Sequence, residues 1–250
     1  MSSPALLEMC VDSVESAAAS EKGGAQRIEL CSDLAEGGVT PSAGLIAMTR
    51  KRVKIPLHVL IRPRAGDFLY SADEFEVMKR DIVLAKQLGA NGVVVGILDR
   101  DGNVDVPRTG ELVALAQPLP VTFSRAFDLG RDQFAALEDV ISAGADRILT
   151  SGGAATAEAG SGTLARLVQA AAGRVGIIAA GGIREHNVDQ ILRTGVSEIH
   201  ASLRQAVPSG MRFHKEEIAL AAIPGTEYRN FAVTPESVAA LLAAAAKSDG

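Results

Sequence analysis

Two Glu-x-Cys pairs, Glu8 with Cys10 and Glu29 with Cys31, are the residues of this sequence best suited to chemistry. Each pair lies in a short apolar run, so alternation along an extended strand turns its glutamate and its cysteine to the same side. Two thiolates with an imidazole nearby form a soft ligand set that suits Cu(I) or Zn. The alternative is that both cysteines are small buried core residues, among the residue types most often fully buried. A disulfide is geometrically possible between neighbouring strands, but two cysteines in 250 residues favour a reducing cytoplasm.

The two glutamates predict either ion pairing or proton transfer. An ionised carboxylate in a barrel interior needs a partner or a raised pKa, which applies to both Glu8 and Glu29. Arg62 and Arg125, both near the ends of predicted strands, are the candidate partners. Alternatively, the glutamates act as general acid and base while these arginines hold a substrate. Strict alternation turns Arg125 outward, so a bulge would be needed to bring it into the site.

Other residues at predicted strand ends could bind an anion. Arg64 belongs to an Arg-Pro-Arg segment, and arginine holds carboxylates or phosphates with two parallel hydrogen bonds. Thr150 and Ser151 precede one Gly-Gly pair, and Gly181 and Gly182 form another. Backbone N–H groups at such glycines can approach an anion. The alternatives are that the arginines neutralise the buried glutamates and that the glycines only form turns.

A single (β/α)8 barrel of the TIM type is the fold that the apolar pattern predicts. Short apolar runs alternate with amphipathic stretches, which favours parallel βαβ units, and eight of them favour closure. A length of 250 residues suits such a barrel. The predicted strands are 6–11, 27–31, 57–62, 92–98, 121–127, 147–151, 175–180 and 198–202. The predicted helices are 14–20, 43–52, 73–88, 108–116, 133–143, 163–172 and 186–193.

An internal repeat assigns side chains to layers of this barrel. It begins at Gly24, Gly89, Gly144 and Gly195, and in each copy the glycine ends a helix before an even-numbered strand. Alternate strands supply the four side chains of one interior layer. One predicted interior layer is Glu29, Val94, Leu149 and His200, and the layer above it is Cys31, Gly96, Ser151 and Ser202. The outward-facing positions are then Ile28, Val93, Ile148 and Ile199.

The eighth, first and second strands are neighbours in a closed barrel, so their inward side chains should converge at its mouth. We therefore expect a cluster in which the two Glu-x-Cys pairs lie at matching heights and His200 lies nearby. His200 is the histidine that the layers place, whereas His58, His186 and His214 are interpreted as structural or surface residues.

The domain prediction is one barrel over residues 1–250, in which 206–250 form a C-terminal segment whose helix, 235–247, covers the base. A net charge of −5, with basic and acidic residues interspersed, argues against nucleic acid or an anionic membrane surface as a partner. No apolar stretch approaches the roughly 20 residues of a membrane span. The first strand begins too early for a secretory signal, so a cytoplasmic location is predicted.

Several segments together resemble the CutC family. They are EMCVDS (8–13), GGAQRIELC (23–31), EGGVTPS (36–42), IRPR (61–64), GDFLY (66–70), RAFD (125–128), LTSG (149–152) and EIHAS (198–202). The resemblance spans about residues 6–215 and implies a (β/α)8 barrel, a cytoplasmic location, homo-oligomerisation and a Cu(I) site at Cys10 and Cys31. It assigns no reaction. Relatives commonly carry histidine where this chain has Ser124, and glycine where it has Ala65 and Ala180.

Two functions follow as hypotheses. In the first, the chain handles copper, with Cu(I) held by Cys10 and Cys31 and with His200 as a further ligand. In the second, it is an enzyme that acts on a small phosphorylated or carboxylate substrate, with Glu8 and Glu29 as acid and base and the arginines as anion ligands. The two can coexist, and a purely structural protein is a third interpretation.

Overall fold

A closed barrel of eight parallel strands forms the centre of the molecule. The computed structural model describes residues 5–215, 217–218 and 227–249. Each strand pairs with the next along the chain, and β8 pairs with β1 to close the barrel. The strands are β1 (Leu6–Val11), β2 (Arg27–Leu30), β3 (Leu57–Leu60), β4 (Gly92–Val95), β5 (Val121–Phe123), β6 (Arg147–Thr150), β7 (Gly176–Ala180) and β8 (Glu198–Ala201). The (β/α)8 prediction is confirmed.

Helices surround the barrel and bury their apolar faces against it. They are α1 (Val14–Lys22), α2 (Ala43–Arg52), α3 (Ala72–Gln87), α4 (Val106–Ala116), α5 (Gln133–Ala143), α6 (Ser161–Ala171), α7 (Val188–Leu192) and α8 (Pro235–Ala245). Hydroxyl or carboxylate side chains cap several N-termini, and α3 has a full capping box of Ser71 and Glu74. Among the described residues, no helix has both the length and the apolar character needed to cross a membrane.

The repeat glycines have the backbone conformation expected of them. Gly24, Gly89, Gly144 and Gly195 have φ of +100°, +86°, +83° and +89°, in the left-handed region that favours glycine. Each lies just after a helix and shortly before an even-numbered strand, so the chain turns sharply into the barrel at all four places.

The predicted alternation of inward and outward side chains is confirmed. Ile28, Val93, Ile148 and Ile199 are fully buried in the large apolar cluster between strands and helices. Val94 instead belongs to a separate interior cluster with both cysteines. The predicted matching heights are wrong, however. Cys10 is level with Glu29 across the β1–β2 pair, and Glu8 is level with Arg27, because the stagger of a closed barrel offsets the two pairs by two residues.

The predicted C-terminal helix is present as α8, but its position differs from the prediction. Helix α8 packs beside α1 and α7 in the outer layer rather than over the base, and Gly23 of the α1 C-terminus lies directly against Pro235 and Val238. Before it, β9 (Gln205–Pro208) and β10 (Arg229–Ala232) form an antiparallel pair. Within the domain prediction for 1–250, residues 1–4, 216, 219–226 and 250 lie outside the described residues.

Candidate functional site

Glu8 is the centre of a polar cluster inside the barrel. It lies on β1 and is only 1% exposed, and its Oε1 is 2.7 Å from Nδ1 of His200 on the neighbouring strand β8. Its other oxygen accepts a hydrogen bond from Nε of Arg27 on β2. The structure therefore contradicts the expectation that Arg62 or Arg125 neutralises this carboxylate. The partner is Arg27, a residue that strand alternation turns inward two positions before Glu29.

The ion pairs continue from Glu8 toward the amino ends of the strands. A terminal nitrogen of Arg27 donates to Glu198, and Glu198 Oε1 accepts from Nε of Arg147 at 3.3 Å. We call Glu8, Arg27, Glu198 and Arg147 the interior ion-pair chain. His58, which is 3% exposed, faces it with Nδ1 at 4.0 Å from Glu8. The barrel core is thus charged at this level rather than apolar, and each charge has an opposite neighbour.

The cluster separates the pKa values of its members. Burial opposes ionisation of Glu8, but the hydrogen bond and charge of His200 and the charge of Arg27 outweigh it and hold its pKa below the usual range. Burial raises the pKa of Glu29, with Glu8 acting in the same direction. Burial opposes protonation of His200, yet the carboxylates of Glu29 and Glu8 raise its pKa. Burial lowers the pKa of His58 to about 4, so that imidazole is neutral at pH 7.

The two cysteines are free thiols in contact with each other. Cys10 Sγ lies 3.8 Å from Cys31 Sγ, and Cys31 Sγ donates to the Val11 carbonyl at 3.5 Å. Cys31 is fully buried and Cys10 is 5% exposed. The contact with Cys31, burial and the carboxylate of Glu29 together raise the pKa of the Cys10 thiol well above its usual value. The Cys10 sulfur is therefore protonated at neutral pH unless a bound cation displaces the proton.

Cys10, Glu29 and His200 place three potential metal ligands together. One ligand atom from each lies within 4.8 Å of the other two, and His200 Nε2 is 3.6 Å from Oε2 of Glu29. Cys31 adds a second sulfur through its contact with Cys10. The predicted convergence of β8, β1 and β2 side chains is confirmed for these four residues.

These residues open onto a cavity of about 230 Å³ at the carboxyl ends of the strands, which we call the mouth cavity. Its lining consists of Cys10, Glu29, Leu34, Gly37, Leu60, Arg62, Phe68, Ser124, Arg125, Leu149, Ala180, Gly181, Gly182, Ile183, Arg184, His200, Ala201 and Ser202. Cys31 and Glu8 do not line it. A ligand in the mouth cavity would thus meet one thiol, one carboxylate and one imidazole directly, with the second thiol behind them.

Comparison with known proteins identifies the family. The sequence model of the CutC family matches residues 5–205. The chain belongs to the CutC family. It is 48% identical to a family protein CutC of Chromobacterium violaceum, over 94% of this chain and 96% of that protein. It is 47% identical to a copper homeostasis protein cutC homolog of Homo sapiens, over 97% of this chain and 89% of that protein.

Solved structures agree with the CutC assignment and with the fold. The crystal structure of the putative copper homeostasis protein CutC from Streptococcus agalactiae matches with a TM-score of 0.75 and 31% identity, over 79% of this chain and 98% of that one. A thiamine phosphate pyrophosphorylase from Pyrococcus furiosus matches with a TM-score of 0.59 at 17% identity, over 98% of this chain and 97% of that one, which shows the barrel alone.

Arg62 and Arg64, on the loop after β3, are bonded to the protein itself. The guanidinium of Arg62 is buried and donates to the carbonyls of Glu36, Gly38 and Gly66 at 2.7–2.9 Å, so it holds two loops at the rim of the mouth cavity. Arg64 lies outside the cavity lining, where its Nε donates to Glu74 at 2.6 Å. The expectation that these arginines neutralise the buried glutamates is therefore wrong.

Arg125 reaches the mouth cavity without the expected bulge. Strand β5 ends at Phe123, and a short 3₁₀ helix, Arg125–Leu129, then redirects the chain, so that strand alternation no longer applies to Arg125. Its Nε donates to Asp128 at 2.8 Å, and a terminal nitrogen donates to Ser151 Oγ at 3.0 Å. The side chain is 43% exposed.

Thr150 and Ser151 bind an anion that the chain supplies itself. The carboxylate of Asp128 accepts from Thr150 Oγ1 at 2.5 Å, from Ser151 N at 3.0 Å and from Gly153 N at 3.1 Å. Neither Thr150 nor Ser151 lines the mouth cavity, whereas Gly181 and Gly182 do. The loop after β6 therefore does bind an anionic group, as predicted, but that group is the carboxylate of Asp128 rather than a ligand.

Of two further residues in the cavity lining, Arg184 was not predicted from the sequence, and the role of Ser124 was left undecided. Arg184, two residues beyond the Gly181-Gly182 pair, lines the mouth cavity. It lies in the loop after β7, where the alternation of side chains along a strand does not apply. Ser124, the position where CutC relatives commonly carry histidine, is 7% exposed, and its Oγ accepts from Ala126 N at 3.2 Å. The serine therefore caps the 3₁₀ helix that carries Arg125 while it faces the cavity.

Proposed function

We propose that this CutC-family chain binds Cu(I) through Cys10 and Cys31, with His200 as a third ligand. The observation that carries the proposal is the contact of two free, buried thiols, 3.8 Å apart, beside an imidazole at the floor of the mouth cavity. The human relative's name, copper homeostasis protein cutC homolog, points to the same metal.

The residues fit a soft metal ion. A separation of 3.8 Å between the sulfurs is less than about 4.6 Å, twice a typical metal–thiolate distance, so one ion can contact both. Thiolates and an imidazole are the ligands that select Cu(I) over Ca²⁺ or Mg²⁺. Because the contact with Cys31, burial and Glu29 raise the pKa of Cys10, metal binding must release a thiol proton, which favours an ion with high thiolate affinity.

The neighbouring residues prepare the ligands. The hydrogen bond between His200 Nδ1 and Glu8 fixes the orientation of the ring and leaves Nε2 on the side of Glu29 and the cavity. Glu8 is in turn held by Arg27. A bound copper ion would supply a site for storage, transfer or redox chemistry, and the protein residues would fix its coordination and shield it from water.

An anaerobic Cu(I) titration against a chromophoric chelator tests the proposal. The reduced protein should bind about one Cu(I) per chain, and Cys10→Ser and Cys31→Ser should each weaken binding strongly. Met9→Leu is the matched control, because Met9 also carries sulfur on β1 but is buried on the outward face. If the double cysteine variant keeps the wild-type affinity, the proposal is wrong.

A second candidate function is an enzyme that acts on a small phosphorylated or carboxylate substrate. The mouth cavity favours it, since 230 Å³ exceeds the needs of one ion and its lining includes Arg125 and Arg184. Glu29, whose pKa burial raises, would exchange a proton with the substrate beside His200. The anion would bind to Arg125 and to the backbone at Gly181 and Gly182. Glu8, whose pKa is lowered by its hydrogen bond with His200 and by Arg27, would orient His200.

A thermal-shift screen with sugar phosphates and organic acids tests this second function. A ligand of the mouth cavity should raise the melting temperature of the wild type but not that of Arg125→Gln. Arg131→Gln is a suitable control, because this arginine is exposed nearby and does not line the cavity. Absence of a shift with every anion, or an equal shift in Arg125→Gln, would count against the enzyme.

A further inference from the structure

A second cavity lies at the opposite end of the barrel. It has a volume of about 470 Å³, and we call it the base cavity. Its lining consists of Leu6, Gln26, Arg27, Arg50, Lys54, Pro56, His58, Asn91, Pro120 and Arg147. Leu6, Arg27 and Arg147 are the first residues of β1, β2 and β6, so the cavity opens at the amino ends of the strands. Neither function proposed for the mouth uses it.

The lining of the base cavity is rich in basic residues. Four of its lining residues are Arg or Lys, and none of the described lining residues is Asp or Glu. The nearby carboxylates have other partners: Glu21 accepts from the backbone N–H groups of Lys54 and Ile55, and Asp146 accepts from that of Val121. Burial lowers the pKa of His58 and keeps it neutral, so it adds a polar ring without adding charge.

The inner wall of the base cavity is buried and incompletely satisfied. Arg27 is 3% exposed, and one carboxylate, Glu198, pairs with both Arg27 and Arg147. NH1 of Arg147 and Nδ1 of His58 are buried and have no hydrogen-bond partner among the described residues. Buried polar groups without a partner are costly, so Glu198 alone does not use the full hydrogen-bonding capacity of Arg147.

The outer wall adds two cations that the interior does not need. Arg50 lies in the last turn of α2, where NH1 donates to Asn91 at 2.5 Å and another nitrogen donates to the Val53 carbonyl. Lys54 is exposed at the rim. Every member of the interior ion-pair chain has an opposite charge without either residue, so neither Arg50 nor Lys54 is needed to balance the interior charges.

We propose that the base cavity binds a small molecule that carries a dianionic phosphate group. Guanidinium groups match phosphate oxygens with paired hydrogen bonds, and lysine adds a point charge. The volume lies within the range of about 300–1,000 Å³ typical of small-molecule sites, which leaves room for an organic group beyond the phosphate. The ligand would contact Arg147 and His58 at the inner wall and Arg50 and Lys54 at the rim.

Isothermal titration of the metal-free protein with inorganic phosphate tests this inference. The wild type should bind one phosphate per chain saturably, and the double variant Arg50→Gln/Lys54→Gln should bind it at least about tenfold more weakly, since one lost charge-assisted hydrogen bond is worth about a factor of ten. The matched control is Lys51→Gln/Arg52→Gln, which removes the same charge from exposed neighbours outside the cavity lining. This control should retain wild-type affinity.

Arg147→Gln probes the inner wall and should also weaken phosphate binding; its circular dichroism at the titration temperature verifies folding. Arg125→Gln/Arg184→Gln separates the two ends of the barrel: binding at the base is the phosphate binding that this variant keeps and that Arg50→Gln/Lys54→Gln loses. The inference is overturned if the wild type shows no saturable binding, if Lys51→Gln/Arg52→Gln weakens binding as much as the cavity variant does, or if only the mouth variant loses phosphate.

Discussion

Replacement of Glu8 by glutamine tests whether the buried charges are organised around this residue. The glutamine side chain retains the volume and can still accept a hydrogen bond, but it removes the charge between Arg27 and His200. The side chains of Glu8 and Arg27 are 1% and 4% exposed, so water cannot compensate for the loss. Arg27 would keep only Glu198, which Arg147 also uses.

The pairing of Arg27 with both Glu8 and Glu198 determines how much Glu8→Gln should lower the free energy of unfolding. Removing one partner of a buried ion pair destabilises a protein by about 3–5 kcal/mol. Because Arg27 retains Glu198, we expect the lower end, about 3 kcal/mol in the free energy of unfolding. For a chain of this size that corresponds to a melting temperature lower by about 6–12 °C. The control Glu111→Gln breaks an exposed pair with Lys79 and should cost less than about 1 kcal/mol.

Urea unfolding of the reduced, metal-free proteins at several pH values measures the effect. The pKa of Glu8 is lower in the folded chain than its unfolded value of about 4.3. The contribution of ionised Glu8 to the free energy of unfolding is therefore fully present above the unfolded pKa. It is lost as the pH falls below that pKa toward the lower pKa of the folded state. The difference between wild type and Glu8→Gln should be large at pH 7 and should shrink below about pH 4. A cost within about 1 kcal/mol at pH 7, or a difference that grows in acid, would refute this reasoning.

Four further variants probe local contacts by urea unfolding at pH 7. Gly160→Ala should lower the free energy of unfolding by about 3 kcal/mol, since the new Cβ would lie 1.8 Å from the Ser151 carbonyl oxygen. Gly162→Ala places its Cβ in open space and should stabilise α6 by up to about 1 kcal/mol. Equal effects of the two substitutions would contradict the steric argument. Asp128→Asn should cost about 2–3 kcal/mol, because an amide cannot accept every hydrogen bond that the carboxylate does; a neutral result would mean that the β6 loop does not depend on this anion. Arg62→Met should cost about 2–3 kcal/mol by releasing three carbonyls, and unchanged stability would contradict its role in holding the rim.

Local patterns in the sequence were sufficient to predict the helices and strands and to predict which strand residues face the barrel interior. The bounds of β1, α2 and α5 agree with those predicted, because apolar periodicity and polar caps coincide there. The even-strand repeat placed His200 and Glu29 inside the barrel, since alternation along a strand is independent of the rest of the fold.

Properties that arise only from closure of the barrel could not be predicted. The stagger between β1 and β2 moves Glu8 to the level of Arg27 rather than of Glu29, and no single strand encodes it. The partner choice of Arg62 depends on where two loops meet, which strand periodicity does not describe. Arg27 could have been found, because the alternation that turns Glu29 inward applies equally two residues earlier.

X-ray absorption at the copper edge tests the proposed coordination most directly. The protein loaded with one Cu(I) per chain should show two sulfur neighbours and a nitrogen neighbour from His200, and Cys31→Ser should reduce the sulfur count to one. A wild-type spectrum with one sulfur neighbour or none, or a Cys31→Ser spectrum identical to that of the wild type, would contradict binding between Cys10 and Cys31.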